Sequence, residues 1–518
     1  MGSIQFAPPQ TWMLSRLDEC CRPRLNVGEE GSTPYLEIGD IDISTKTYSL
    51  SNKPAVKGAL VAKKGDILIS RVRPTRGAIV LLRETQIHVS SALSVLTPES
   101  GILSAYVHFY LAWNPDFRRY LGERCTGTMY PTVSKDVVRE YPIPVAPTSE
   151  QCRIVEEVEK QFTRLNAAVA ALKRIQANLR RYRASVLKAA CEGRLVPAEA
   201  ELARAEGREY EPADRLLARI LKERGGKWEA DKLGNMSALG TPRKSDGGKA
   251  GYPEPTSTDG LELPSLPLGW VWTTLDRVIL TGPQNGLYKP ASAYGEGVSI
   301  VRIDDFQDAW NRPRKELRRL KLTAQEEALY GLHPDDILIN RVNSAPQLGK
   351  CLVVPEQLCP AVYESNMMRL KLANGIRPSW LSCYVQTVDG RARLTANAKW
   401  AVNQASINQA DVRATPLPLP PTNEQDRILD EVDRRLSVVT ELDSLVSTIA
   451  KRGGRLRHAI LRRAFEGKLV PQDPNDEPAS SLLERIRAER ERAGVGDGTS
   501  KPRALRRRGM AAEPLVRG

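Results

Sequence analysis

Two short stretches carry side chains suited to contact with nucleic-acid bases: "SRVRPTRG" at 70–77 and "NRVNSAPQLGK" at 340–350. An arginine guanidinium presents paired donors that match the acceptors of guanine in the major groove, an Asn or Gln amide does the same for adenine, and lysine mostly serves phosphates. Arg71 and Arg341 hold equivalent places in the two stretches, which suits a phosphate or scaffold role better than base discrimination. Arg73, Arg76, Asn343, Gln347 and Lys350 differ between the stretches and are the better candidates for specificity. A second pair, "TGTMYPTVSKDVV" from Thr126 and "KWAVNQASINQADV" from Lys399, sets an aromatic residue among hydroxyls and amides. Tyr130, Thr132, Ser134 and Lys135, and Trp400, Asn403, Gln404 and Ser406, are further candidates for DNA contact. The plainer reading of this second pair is a hydrogen-bonded turn before a strand.

Bulk charge favours the same class of partner. The chain holds 76 Lys and Arg against 62 Asp and Glu, a formal charge of +14, with a pI near 9.4, so a polyanion fits better than a neutral metabolite. Signals for catalysis are missing. The histidines, at 88, 108, 333 and 458, have no spacing that suggests a metal site or a Ser/His pair. No G-x-x-x-x-G-K-[ST] loop and no G-x-G-x-x-G turn occurs, so ATP and dinucleotide sites are unsupported. "NPDF" at 114–117 resembles a base-holding N-P-P-F/Y loop, but Asp116 replaces the second proline and "WNPDFRRYL" fits a helix. The eight cysteines form no C-x-x-C pair and suit small buried residues in a reducing cytoplasm. No apolar run reaches membrane-spanning length, and the first ten residues lack the pattern of a signal peptide, so the expected place is the cytoplasm.

The elements that would position these residues occur twice. "PIPVAPTSEQCRIVEEVEK" from Pro142 aligns with "PLPLPPTNEQDRILDEVDR" from Pro416, and the match continues without a gap to "EGRLVP" at 192–197 and "EGKLVP" at 466–471. Downstream, "EPADRLLARI" from Glu211 matches "EPASSLLERI" from Glu477. Upstream, "GDILISRV" at 65–72 echoes "DDILINRV" at 335–342, and "TWMLSRLDEC" from Thr11 echoes "GWVWTTLDRV" from Gly269. The 142–197 block is closely kept between copies, whereas the segments before it match only in islands.

The kept block reads as a long helix. From Thr148 to Ala190 there is no proline or glycine. Ile154, Val158, Phe162, Leu165, Val169, Leu172, Ile175, Leu179, Tyr182 and Val186 step by four and three, the stripe of a coiled coil. The second copy repeats the stripe with Ile428, Val432, Leu436, Val439, Leu442, Val446, Ile449, Leu456 and Ile460. Gly453 and Gly454 are expected to kink or loosen that second helix.

The fold class expected is α+β: two mixed α/β domains joined by two long helices in an antiparallel coiled coil, with an internal pseudo-twofold repeat. The expected boundaries are 1–141 for the first mixed domain, 142–197 for the first helix and 198–264 for a helical extension and flexible linker. They continue with 265–415 for the second mixed domain, 416–471 for the second helix, and 472–518 for a short helix and a basic, disordered tail.

These residues resemble the DNA-specificity subunit of type I restriction–modification systems. The resemblance rests on the paired "DILI" strands, "LPLGWVWTTL" at 266–275, "PTSEQ" and "PTNEQ" opening the helices, and "EGRLVP" and "EGKLVP" closing them, in one order and twice over. The first opening segment departs from the "LPxGW" form of the second. The resemblance implies that the two mixed domains are target-recognition domains of a non-catalytic chain, each reading one half of a bipartite, asymmetric DNA site while the helices set the spacer. It implies two modification subunits that carry S-adenosylmethionine and methylate adenine, and restriction subunits that use ATP and Mg, with no cofactor in this chain. Alike helix ends would dock two copies of one partner, the candidates being Glu150, Gln151, Glu192, Gly193, Glu424, Gln425, Glu466 and Gly467. The alternative is a specificity chain with its own methyltransferase or nuclease activity.

Overall fold

The computed structural model describes residues 9–32, 34–50, 52–238, 254–307, 312–313, 317–402 and 404–492. Two compact units result, one from Met1–Leu172 with Thr448–Gly518 and the other from Lys173–Ser447. Each unit therefore draws on both sequence copies.

The first unit holds a four-stranded antiparallel sheet in the order Cys21–Pro23, Leu93–Pro98, Ile67–Ser70, Ile79–Leu81. The second holds its counterpart in the order Ile279–Asn285, Met367–Leu372, Ile337–Asn340, Cys351–Val353. Both "ILI" runs are buried throughout, as β-branched residues between two covered faces should be. The aspartate before each run is buried too. Asp66 accepts from the Lys63 N–H and the Thr97 hydroxyl, both at 2.7 Å, and pairs with Arg24. Asp336 accepts from the His333 N–H at 3.0 Å beside Arg369. Each carboxylate thus closes the turn into its strand, with its burial offset by charge-assisted bonds.

A two-stranded ribbon fastens each head to its long helix, Met13–Arg16 with Pro142–Val145 and Val271–Thr274 with Pro416–Leu419. Ser104–Trp113 and Pro378–Val385 are helices packed on the sheets. Asn114 of "NPDF" caps the helix Pro115–Glu123, its side-chain oxygen accepting from the Asp116 and Phe117 N–H groups. That residue serves as a helix start.

The long helices, arm 1 (Thr148–Cys191) and arm 2 (Thr422–Phe465), each run 44 residues. Within the first unit they lie antiparallel: Asn166 accepts from Arg457 at 2.6 Å, while Val169 lies beside Gly453. Within the second unit Gln176 donates to Ser447 at 3.0 Å, and Pro197 accepts from Arg427, again antiparallel. Arm 2 stays helical through Gly453 and Gly454, so the glycines do not interrupt it. A Cβ at Gly453 would stand 3.3 Å from Val169, so the glycine admits the facing arm closely.

The stripe is only partly buried. Val439 and Val446 are inside, but Leu442, Ile449 and Leu456, as well as Ile175 and Tyr182 of arm 1, are exposed. The covered seam keeps the column of Val439 and Val446 and takes its other column one residue on, at half-buried Asp443, Ala450 and Arg457, with Gln176 and Arg183 the counterparts in arm 1.

The segments after the arms supply a further layer. Ala213–Ala238 puts Leu216, Leu217 and Ile220 into the core of the second unit, and Ala479–Arg492 puts Leu482, Leu483 and Ile486 into that of the first. Equivalent backbone bonds of 2.9 Å tie them in, from Ala213 N–H to Gly269 O and from Ala479 N–H to Thr11 O. The tail of each copy completes the head of the other. The linker expected within 198–264 begins only after Ala238, because helix continues to that residue in a run without proline. Its remainder at 239–253 and the basic tail after 492 lie outside the described residues.

Candidate nucleic-acid interface

The two stretches singled out in each head form one surface. In the first head Val72 bridges Thr132, the Arg73 N–H donates to Pro131 O at 2.7 Å, and the Arg73 guanidinium lies 4.9 Å over the Tyr130 ring. In the second, Val342–Asn343, Gln404–Ser406 and Lys399–Ala401 make a three-stranded sheet in which Val342 pairs with Ser406. The register is the same: Val133 N–H donates to Arg71 O at 3.0 Å and Ile407 N–H to Arg341 O at 2.9 Å. A chain leaving the central strand thus adds the hairpin before the arm to its own edge.

Arg71 and Arg341 hold that frame. Arg71 donates from its backbone to Ala92 O and from its side chain to Ser91 O; Arg341 donates likewise to Asn366 O and Ser365 O. Partial burial lowers the pKa of Arg71, and the guanidinium remains a cation. Both residues are scaffold in this conformation.

The divergent candidates separate into outward and inward groups. Arg76 and Gln347 are exposed on short turns at Pro74–Arg76 and Ala345–Gln347. Arg73 precedes the first turn in left-handed backbone at φ 47°. Asn343 lies half-buried on its strand and accepts from the Ser344 N–H. Lys350 turns inward, contrary to expectation: its ammonium donates to Phe306 O at 2.5 Å and lies over the Phe306 ring. Ser134 is exposed, and its hydroxyl caps the helix Lys135–Arg139 by accepting from the Val137 N–H. Lys135 opens that helix, and Thr132 is engaged through its backbone with Thr126. Gln404 is exposed, Ser406 half-buried, and Asn403 lies outside the described residues. Tyr130 and Trp400 are exposed on the hairpins, together with Met129 and Val402, which sequence reasoning missed. Only the pairing reveals a hairpin tip, so no local pattern would have found them.

Four docking candidates are overturned by burial. Glu150 accepts from Trp12 Nε1 at 2.9 Å and from Gln472, while Glu424 accepts from Trp270 Nε1 and the Glu199 N–H, both at 2.9 Å. Gln151 accepts from the Leu103 N–H and donates to Ala146 O and Gly101 O; Gln425 accepts from the Arg377 N–H and donates to Pro420 O and Gly375 O. All four side chains are enclosed, and burial raises the pKa of both glutamates. The "EQ" pair locks each arm to its own unit.

The other four candidates end the arms. Gly193 and Gly467 adopt φ of 65° and 67°, and Arg194 and Lys468 N–H groups reach back to Ala189 O and Arg463 O, each at 2.8 Å. This is a Schellman stop. A Cβ on Gly193 would stand 2.4 Å from Pro267, and one on Gly467 2.3 Å from Pro9, so the glycines also admit the opening segment of each head. Glu192 is exposed and Glu466 largely covered, and both pair with neighbouring cations, Glu192 with Arg194 and Lys188, Glu466 with Arg462 and Lys468. Among the described residues no group of His, Cys, Asp or Glu is placed to hold a metal, and no helix is long and apolar enough to cross a membrane.

No protein-family model matches the chain. It is 31% identical over 247 residues to the type I restriction enzyme StySPI specificity subunit of Salmonella potsdam, across 46% of this chain and 53% of that relative. It is 22% identical over 410 residues to the EcoKI specificity subunit of Escherichia coli (strain K12), across 77% of this chain and 75% of that one. A solved chain from work on complex assembly and conformational transition of the type I R-M system shares the fold at a TM-score of 0.61 and 20% identity, covering 90% of this chain and all of that one.

Proposed function

We propose that the chain acts as a type I restriction-enzyme specificity subunit, like the relatives it matches, and that each of its heads reads one half of a split, asymmetric DNA site. The observation that carries this reading is the common frame with unlike side chains. At one register, fixed by Arg71 and Arg341, the first head offers Arg73 and Arg76, and the second Asn343 and Gln347. Guanidinium and amide groups select different bases, so two unlike half-sites follow, where two identical heads would select a palindrome. The basic excess adds phosphate contacts and a steep dependence on salt.

The domain boundaries fit this division of labour, with 1–141 and 265–415 as the reading heads and 142–197 and 416–471 as the arms. The chain itself is a non-catalytic recognition subunit. S-adenosylmethionine, ATP and Mg belong in this reading to modification and restriction subunits that assemble on it in the cytoplasm. Docking passes from the buried "EQ" pairs to the outer face of the arms. Val438, Leu442 and Leu445 lie exposed along arm 2 and Ile175 and Tyr182 along arm 1, an apolar surface that partner helices would cover.

Base preference at single positions tests the reading. With the modification subunits added, Gln347→Ala should relax selection at one base pair of one half-site, by about 1–3 kcal/mol, and leave the other half unchanged. Arg76→Ala should do the converse. Equal weakening on all sequences, without loss of selection, would make these residues phosphate contacts.

A further inference from the structure

Four large apolar side chains stand in solvent at the tips of the two hairpins: Met129 and Tyr130 at 81% and 65% exposure, and Trp400 and Val402 at 65% and 92%. They contribute nothing to either core. Their backbones are nevertheless held in place, by Thr126 pairing with Thr132 in one head and by Lys399–Ala401 pairing with Gln404–Ser406 in the other. The two tips occur at the same register of two heads whose sequences have otherwise diverged.

Their surroundings are cationic. Arg73 stacks on Tyr130, Arg76 is exposed on the neighbouring turn, and exposed Lys399 directly precedes Trp400. Apolar and aromatic groups among cations suit a polyanion with stacked, planar interior faces better than they suit a purely apolar partner. A base offers a π-face on which a ring can stack, and apolar wedges at a base step unstack and bend a duplex.

We propose that each hairpin tip is a wedge that stacks between bases of the bound duplex, Trp400 with Val402 in one half-site and Tyr130 with Met129 in the other. This rests on the DNA-reading function above and adds a distortion that base-edge contacts do not require. Opening a step costs stacking, which the inserted ring replaces. A duplex already missing a base at that step escapes the cost.

The test uses the full chain assembled with its modification subunits, and duplexes of its methylated motif carrying 2-aminopurine at successive positions. The wild-type complex should raise the fluorescence at one step in or beside each half-site and bind a duplex abasic at that step more tightly than the intact one. Trp400→Ala should abolish the rise in its own half-site only, lose the preference for the abasic duplex and weaken intact-site binding about 5- to 150-fold. Trp400→Phe should restore much of each effect, and Tyr130→Ala should act on the other half. Because these side chains are exposed, an unchanged melting temperature is expected for each variant. If Trp400→Ala keeps the fluorescence rise and the abasic preference, the wedge is overturned while sequence reading stands. If the wild-type complex does not distinguish its motif from scrambled DNA, the function beneath the proposal fails as well.

Discussion

Glu424 is an ionisable group that the fold encloses, and its two oxygens are spent on the Trp270 and Glu199 N–H donors. Glu424→Gln removes the charge but turns an amide donor toward one of those N–H groups, so it should cost about 1–3 kcal/mol in urea unfolding. The dependence on pH has a definite sign. Burial raises the folded pKa above the unfolded value, so the contribution is full below the ordinary carboxylate range and fades as pH rises through the raised pKa. The margin of wild type over Glu424→Gln should therefore shrink from acid toward neutral pH. Gly193 permits a cleaner comparison. Gly193→Ala meets both a left-handed backbone and Pro267, whereas Gly207→Ala meets a similar φ of 63° in open space. Thermal unfolding should show Gly207→Ala losing about 1 kcal/mol and Gly193→Ala clearly more.

At the scale of elements, what the sequence disclosed was whatever has a local period or a local stop. The arms follow from unbroken four-and-three spacing, their ends from the glycine and proline of "EGRLVP" and "EGKLVP", and the central strands from "DILI". Partners in space were not legible. Leu442 and Val439 look alike in a heptad, and only the packing shows that one is covered and the other open. The tail Ala479–Arg492 likewise repeats Ala213–Ala238 in sequence, yet each completes the head of the other copy. Removing residues 479–492 should uncover the core of the first unit and destabilise it by about 5 kcal/mol or more, seen as an early transition in calorimetry. Leu442→Glu with Leu445→Glu should leave the melting temperature unchanged, since both are exposed, and abolish co-purification with the modification subunit.

For the molecule as a whole, duplication with unequal divergence would, on the proposed function, separate what assembles from what selects. The arms and the "EQ" locks stayed alike because each must join the same frame. The exposed side chains of Arg76 and Gln347 were free to differ because no core packing holds them. Of the candidate site, residue types and loops were visible in the sequence, while the joining of two distant loops through the Val72–Thr132 and Val342–Ser406 pairs was not. That joining is a long-range pairing with no local signature. The claim that two heads independently set two halves of one target is tested most directly by mapping methylated adenines in cells that express this chain with its modification subunit, before and after residues 1–141 are replaced by those of a relative. The account predicts one split, asymmetric motif in which the exchange rewrites one half and preserves the other half and the spacer. A palindromic or continuous motif, or an exchange that alters both halves or neither, would contradict it.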